Sequence, residues 1–519
     1  MTKGRRAAAL VLLAAALGLA ALGQFYFFRR QDYVWDGVVF YGLAVLCFVL
    51  AWRQILRQKP RPSPSRAFHL SDWVRGRPVP TALMVVGLVL CFGATLLSQG
   101  RAWNQSASDV TTLWLLGLGA VLMSALWPAR FPPQLPQDPR ARLRAVSREA
   151  WLETALVIGL AVLAFMLRAS GLEDVPYTLG GDEAWHGLLA RQVLNGQLRN
   201  PFVMGYMSMP TFFYWPLSWS LWLVGDSVIG LRMQAAVAGT ATVLVLYFFV
   251  RHLWGRRMAV LGAIFLATYD YHLHYSRLGA NNIWDPLFLL LTLWLLDLGL
   301  TRPDEAGRTR YLTLTGLVMG LSTYFYTGAR LLPVLIAAYV AFVWIKRRQP
   351  GSRKLPAGGL VWPLLMFVLA FLVVAGPMLS YALSHPDEWN ARVNQVGIIQ
   401  SGWLAREPGL TGKGTGQILA EQFLRAAGAF HVFPDRTAWY GADRPLLGFL
   451  PGVFAILGMA WALIHWQERR CFLVLIWFWA VVITGGMLTE SPPSSQRLVM
   501  AAPAVALLVA IGLEQTVNL

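Results

Sequence analysis

Charge is what this chain lacks most. Only 13% of its 519 residues are Asp, Glu, Lys or Arg, about half the ~25% of an average soluble domain. A soluble globule with so little charge cannot wet its surface, which excludes a soluble enzyme and a disordered chain alike. Cysteine is nearly absent: Cys47, Cys91 and Cys471 lie in or at the edge of apolar runs. No CxxC and no Cys/His ligand spacing exists, so neither a disulfide scaffold nor a structural zinc site is expected. Acidic residues are also few, 26 against 44 basic ones, for a net charge of +18. In a soluble chain that excess would point to nucleic acid. Here most basic residues sit in short segments on alternate sides of apolar runs, the pattern that sets membrane orientation, and no nucleic-acid motif accompanies them. Just five of the 44 are lysine, which we read as GC-rich coding rather than chemistry.

What is present is long apolar runs. Hydrophobic residues make up 56% and mean hydropathy is +0.50. The runs are about 17–25 residues long, the length that crosses a ~30 Å hydrocarbon core. The chain reads as an all-α polytopic membrane protein with about 14 transmembrane helices. The expected spans are 7–28, 37–55, 81–98, 110–127, 151–168, 231–250, 257–275, 285–300, 311–328, 331–346, 359–382, 446–465, 471–487 and 498–514. The first is too long for a cleaved signal peptide and continues through Phe25–Phe28 to Arg29 and Arg30, so it reads as an uncleaved anchor.

With the N-terminus (Lys3, Arg5, Arg6) in the cytoplasm, the basic segments Arg53–Arg77, Arg130–Arg148, Arg251–Arg257, Arg302–Arg310, Lys346–Lys354 and Arg469–Arg470 all fall inside. Arg29, Arg30 and Arg101 are exceptions. Two long segments then face out of the cytoplasmic membrane. The first, from about Arg168 to Gly230, ends in an aromatic stretch, 210–225, that reads as an interfacial helix rather than a span. The second, from about Ser384 to Leu446, is too long for an unstructured connection and is expected to be ordered. Prolines 128, 132, 133, 136 and 139 punctuate a basic linker. They divide a four-span N-terminal module, 1–150, from a second domain, 151–519. The TGKGTG run at 411–416 lacks P-loop spacing and falls outside, away from cytosolic nucleotides.

Charges beside a bilayer are costly, so outward acids and arginines next to spans are functional candidates. The foremost is Gly180-Gly181-Asp182-Glu183-Ala184-Trp185-His186, where two acids open an amphipathic pattern. Asp182 at a helix start also suits an N-cap, and the two roles are compatible. A second cluster runs from Tyr269 to Leu287 and holds His272, His274, Ser276, Arg277, Asn281, Asn282 and Asp285. Its two histidines lack further metal ligands and read as hydrogen-bonded interfacial groups. Asp285-Pro286 also reads as an N-cap with proline at the first helical position. A third group is Tyr324, Tyr326 and Arg330, and a fourth is Arg497 before the last span. Arginine forks bind phosphate oxygens, but snorkelling to headgroups is the plain alternative.

In this order the features resemble a family: Asp-Glu after a span, then Ser276-Arg277 with Trp284-Asp285-Pro286-Leu287, then Tyr324-Phe325-Tyr326 with Ala329-Arg330-Leu331-Leu332-Pro333, then Arg497 and Pro503. The chain is similar to the C-type membrane glycosyltransferases, in the glycosyltransferase family 39-like group of protein O-mannosyltransferases and lipid A aminoarabinose transferases. The resemblance covers about 151–519, and Leu231-Arg232 through Asn281-Asn282 to Leu290 is its most specific part. No DxD motif is present, unlike in oligosaccharyltransferases. The resemblance therefore implies no firm metal requirement: a divalent cation stays open, and no cofactor is otherwise named.

The resemblance implies transfer of a sugar from a polyprenyl-phosphate carrier to a lipid, glycan or protein acceptor on the extracytoplasmic face, with inversion. It makes Asp182 the general base and gives Glu183 the orientation of acceptor or sugar. Arg277, Arg330 and Arg497 are then candidates for the phosphate. Tyr324, Tyr326 and His274, with Asn281 and Asp285, are candidates for the carrier or sugar site. A lipid or sugar transporter is the rival from another class, but the charges cluster at one surface and no matching pair of broken helices is seen. A non-catalytic membrane subunit is the third reading.

Overall fold

A computed structural model describes residues 3–30, 34–53, 78–127, 147–348, 358–437 and 440–518. Among them there is no strand, only two isolated bridges, Met204 with Pro210 and Gly397 with Thr489. The helices are α1 (Lys3–Arg29), α2 (Val34–Arg53), α3 (Pro78–Ser98), α4 (Ser108–Leu126), α5 (Arg148–Ala169), α6 (Gly181–Leu194), α7 (Tyr214–Val224), α8 (Val228–Trp254), α9 (Arg256–Thr268), α10 (Asp270–Tyr275), α11 (Trp284–Thr301) and α12 (Glu305–Ser322). They continue with α13 (Leu332–Arg348), α14 (Gly358–Ser384), α15 (Pro386–Val396), α16 (Trp403–Thr411), α17 (Thr415–Ala427), α18 (Phe449–Ile464), α19 (Arg469–Val481) and α20 (Ala502–Asn518).

Eleven of the described helical segments are long and apolar enough to cross a membrane, each at an expected span. The chain is a multi-pass membrane protein. Three other expected spans coincide with different helices. At 257–275, α9 has 13 residues, about 20 Å at 1.5 Å per residue, and the chain breaks before the polar α10. At 311–328, α12 begins earlier and carries Glu305, Arg308 and Arg310. At 446–465, α18 has 16 residues. The aromatic stretch at 210–225 forms the 11-residue α7, too short for a crossing. The long segment after Ser384 is ordered, as α15, α16 and α17. The proline-rich linker at 128–146, and most of the basic segments near 53–77 and 346–354, lie outside the described residues.

The bundle centres on α20, which packs against α18, α9 and α19. Close approach there needs small residues, as usual between helices in lipid. A Cβ on Gly458 would meet the Leu508 carbonyl at 1.9 Å, and one on Gly512 would meet that of Phe454 at 1.9 Å. The buried Asp297 carboxylate meets His252 Nε2 at 2.8 Å and pairs with the Arg469 guanidinium at 3.2 Å, as intramembrane acids require partners. The two N-terminal hairpins dock at different places. α1 and α2 pack on α18, where the buried Gln24 donates to the His431 carbonyl at 3.5 Å. α3 and α4 pack on α14 and α12, where Trp114 donates to the Val374 carbonyl at 2.9 Å.

Candidate active site

The segment from the end of α5 to the start of α6 has no regular hydrogen-bond ladder, so its backbone carbonyls need other donors. Two buried arginines supply them. Arg277 donates to the carbonyls of Leu167, Arg168, Ser170, Gly171 and Val175 at 2.7–3.1 Å. Arg232 of α8 donates to those of Leu172, Pro176 and Thr178 at 2.7–3.0 Å. Its Nε and Nη2 also grip Glu183 at 2.9 and 3.0 Å. Glu183 Oε1 accepts from the Gly279 N–H at 2.7 Å, and Oε2 from the Gly180 N–H at 3.4 Å.

Glu183 and Arg232 are thus both buried and mutually satisfied. This corrects the reading of Glu183 as a group facing acceptor or sugar: its carboxylate is spent on holding the start of α6. The same holds for Arg277, whose guanidinium is filled with backbone carbonyls and lines neither of the two cavities described below. Nor is Asp182 the N-cap. Gly180 takes that place, and Asp182 lies in the first turn of α6, where the helix dipole favours a negative charge.

Asp182 is exposed and lines a cavity of about 410 Å³. The cavity is walled by Trp185 and His186 of α6, the 206–209 turn, Tyr275, Asn281, Asn282, Tyr326, Arg392, Gln395 and Gln496. His186 sits one helical turn after Asp182. Its Nδ1 is 3.0 Å from the Gly279 carbonyl, so that nitrogen carries the proton, and burial lowers the imidazole pKa. Burial also raises the Tyr326 hydroxyl pKa. Among the residues that line this cavity, Asp182 carries the one carboxylate.

A second cavity, of about 310 Å³, adjoins the first and shares Tyr326, Thr327, Arg392 and Gln496 with it. Three arginines reach it from three parts of the chain: Arg330, Arg392 of α15 and Arg497. Its remaining wall is largely apolar, with Leu331, Val334, Val393, Val396, Val481 and Val499. Arg330 donates to the Trp389 carbonyl at 2.6 Å and lies over the Trp389 ring at 4.0 Å. Arg497 donates to the Glu490 carbonyl at 2.9 Å, while its buried Nε has no hydrogen-bond partner. Asp285 also lines this cavity, 2% exposed. A Cβ on Gly328 would come within 2.0 Å of its Oδ2, so glycine is needed there.

The structure brings Asp182, Asn281, Asp285, Tyr326, Arg330 and Arg497 together on the two cavities. It leaves Glu183, Arg277, His274 and Tyr324 off them. His274 packs its ring on Tyr275 and Tyr440. The fully buried His272 meets Arg168 at 3.2 Å, so the two histidines do not form a ligand pair. Among the described residues, no group of three His, Cys, Asp or Glu could hold a metal ion. Tyr324 is fully buried. Its hydroxyl donates to the Val374 carbonyl at 2.7 Å, and its ring packs on Trp114. Tyr324→Phe should therefore cost about 1 kcal/mol of stability and leave turnover unchanged, a result that thermal unfolding beside an activity assay would check.

Residues 208–381 match the model of the dolichyl-phosphate-mannose-protein mannosyltransferase family. Over that third of its length the chain is similar to this family of C-type membrane glycosyltransferases. An undecaprenyl phosphate-α-4-amino-4-deoxy-L-arabinose arabinosyl transferase of Pseudomonas fluorescens is 29% identical over 219 residues, 40% of this chain and 35% of the relative. One from Aeromonas salmonicida is 28% identical over 350 residues, 63% of this chain and 56% of the relative. The chain thus spans 35% and 56% of these two curated relatives. The crystal structure of ArnT from Cupriavidus metallidurans bound to undecaprenyl phosphate superposes with a TM-score of 0.48 at 16% identity, over 71% of this chain and 61% of that one.

Proposed function

We propose that this chain is a glycosyltransferase that transfers a sugar from a polyprenyl-phosphate carrier to an acceptor, with inversion at the anomeric carbon. The observation that carries the reading is the pair of adjoining cavities that share Tyr326, Thr327, Arg392 and Gln496. A free carboxylate lies in one, and three arginines beside an apolar wall lie in the other. Phosphate binds arginine forks, and a prenyl chain suits the valine-rich wall. The family match and the names of the relatives support the same donor class.

Asp182 accepts the proton of the acceptor hydroxyl as its oxygen attacks the anomeric carbon. The bond from that carbon to the phosphate oxygen breaks, and the electron pair leaves with the polyprenyl phosphate. Arg330, Arg392 and Arg497 offset the charge that develops there. A phosphate leaving group is a weak base, so no general acid is required. Tyr326, Asn281 and Asp285 line the path between base and phosphate. The acceptor is a lipid, a glycan or a protein. The alternation of basic segments supports a site on the extracytoplasmic face of the cytoplasmic membrane, with a cytoplasmic N-terminus. We read residues 1–150 as an accessory module on the transferase part, 151–519.

The test is transfer of radiolabelled sugar from a panel of undecaprenyl-phosphate sugars, using membranes that hold the wild type or Arg497→Gln. The wild type is expected to label an endogenous acceptor. Arg497→Gln is expected to raise the donor KM by about tenfold, the size of a lost charged hydrogen bond. No transfer from any donor by well-folded protein, with lipid translocation detected instead, would replace this reading with a transporter.

A further inference from the structure

The turn at 204–210 forms part of the wall of the Asp182 cavity, and its tip has unusual backbone. Met207 and Ser208 are consecutive non-glycine residues with φ of 52° and 58°, in the sparsely populated left-handed region. The turn is pinned at its base, where Gly205 N–H donates to the Met209 carbonyl at 2.7 Å and Thr211 N–H to that of Val203 at 3.0 Å. This backbone directs the Ser208 hydroxyl away from the turn and into α15, fully buried.

There it meets two backbone groups one helical turn apart. The hydroxyl donates to the Glu388 carbonyl at 2.8 Å and accepts from the Arg392 N–H at 3.0 Å. Residues 388 and 392 are one turn apart on an α-helix, so the hydroxyl clips that turn of α15 to the 204–210 turn. Arg392 is also the cationic side chain that lines both cavities. Its Nη1 is held by Gln395 Oε1 at 2.9 Å.

We propose that Ser208 is a positioning residue: through its hydroxyl, the strained 204–210 turn sets Arg392 at the junction of the cavities, tying the wall around the base to the grip on the carrier phosphate. This rests on the proposed reading of the second cavity as a phosphate site. Strain at the tip is retained because a relaxed turn would point the hydroxyl elsewhere. Sequence reasoning had no access to this link, since residues 208 and 392 are 184 apart.

The experiment measures undecaprenyl phosphate binding by quenching of intrinsic tryptophan fluorescence in the purified full chain. The proteins compared are the parent, Ser208→Ala, Ser208→Gly, Arg392→Gln and the Ser208→Gly/Arg392→Gln double variant. Both serine variants should weaken binding by about fivefold, the loss of an ordinary hydrogen bond. Arg392→Gln should weaken it by about tenfold or more, and the double variant no further than Arg392→Gln alone. Glycine is at home at positive φ, so Ser208→Gly carries the test if the alanine variant does not fold. A fivefold loss repeated in the Arg392→Gln background would overturn the proposal, as would parent-like binding by Ser208→Gly. Failure of the parent to bind undecaprenyl phosphate would remove the phosphate reading itself, and this proposal with it; that failure is recognisable because it precedes any substitution.

Discussion

Asp182→Asn is expected to abolish sugar transfer while the protein stays folded. The side chain is exposed and faces an open cavity, so the amide replaces a solvated carboxylate of the same shape. Nothing buried loses a partner, and surface substitutions of that kind usually cost within about 0.5 kcal/mol. In the proposed mechanism, transfer loses its proton acceptor. General-base contributions run to roughly 10²–10⁴-fold, so kcat should fall by about a thousandfold. The arginine cavity is untouched, and undecaprenyl phosphate should bind as before. Single-turnover transfer, thermal unfolding and carrier binding, read on the same preparation, check all three parts. Residual turnover above a tenth of the wild type would take the base role from Asp182.

The neighbouring acid should behave in the opposite way. Glu183→Gln removes the charge that compensates Arg232 while leaving the guanidinium buried, at 1% exposure for both side chains. Breaking a buried pair in this manner costs roughly 3–5 kcal/mol. The amide also replaces a carboxylate oxygen that accepts from Gly279 N–H. The expected result is a sharp loss of folded protein in a thermal-stability series. Arg232→Lys should reproduce it, because an ammonium cannot serve a carboxylate and three carbonyls at once. Equal stability of Glu183→Gln and Asp182→Asn would contradict this assignment. Two adjacent acids, one lost as activity and one lost as fold, are a sharper test of the site than either alone.

Much of the fold was legible because hydropathy and charge act locally along the chain. Apolar runs located the eleven long helices, and the aromatic 210–225 stretch was recognisable as something other than a span. Less legible were helices whose apolar pattern hides a break or a shifted end. Between Arg256 and Tyr275, polar groups interrupt the helix, and a 19-residue hydropathy window averages over that interruption. In the site, Asp182, Tyr326, Arg330 and Arg497 could be singled out because a charge or hydroxyl beside a span is conspicuous. Their neighbours Glu183, Arg277 and Tyr324 were equally conspicuous. Only tertiary packing separates a polar group that serves backbone carbonyls from one that faces a ligand. Arg392 went unnoticed for the converse reason: it lies in a polar extramembrane helix, where an arginine is unremarkable until the fold brings it beside Arg497. Pro386 at the start of that helix signals its beginning but not its neighbours.

The two buried arginines behind Asp182 have a consequence for biosynthesis. Glu183 meets Arg232, 49 residues further along, and the carbonyl of Leu167 meets Arg277, 110 residues further along. The segment leading to Asp182 therefore emerges from the ribosome well before the groups that shape it. Its carbonyls stay with water until α8 and the turn after α10 have been delivered. The turn that carries Asp182 is thus synthesised early and set late. Chains interrupted before residue 277 would display 170–182 as an open, protease-accessible stretch even with α5 already inserted in the bilayer.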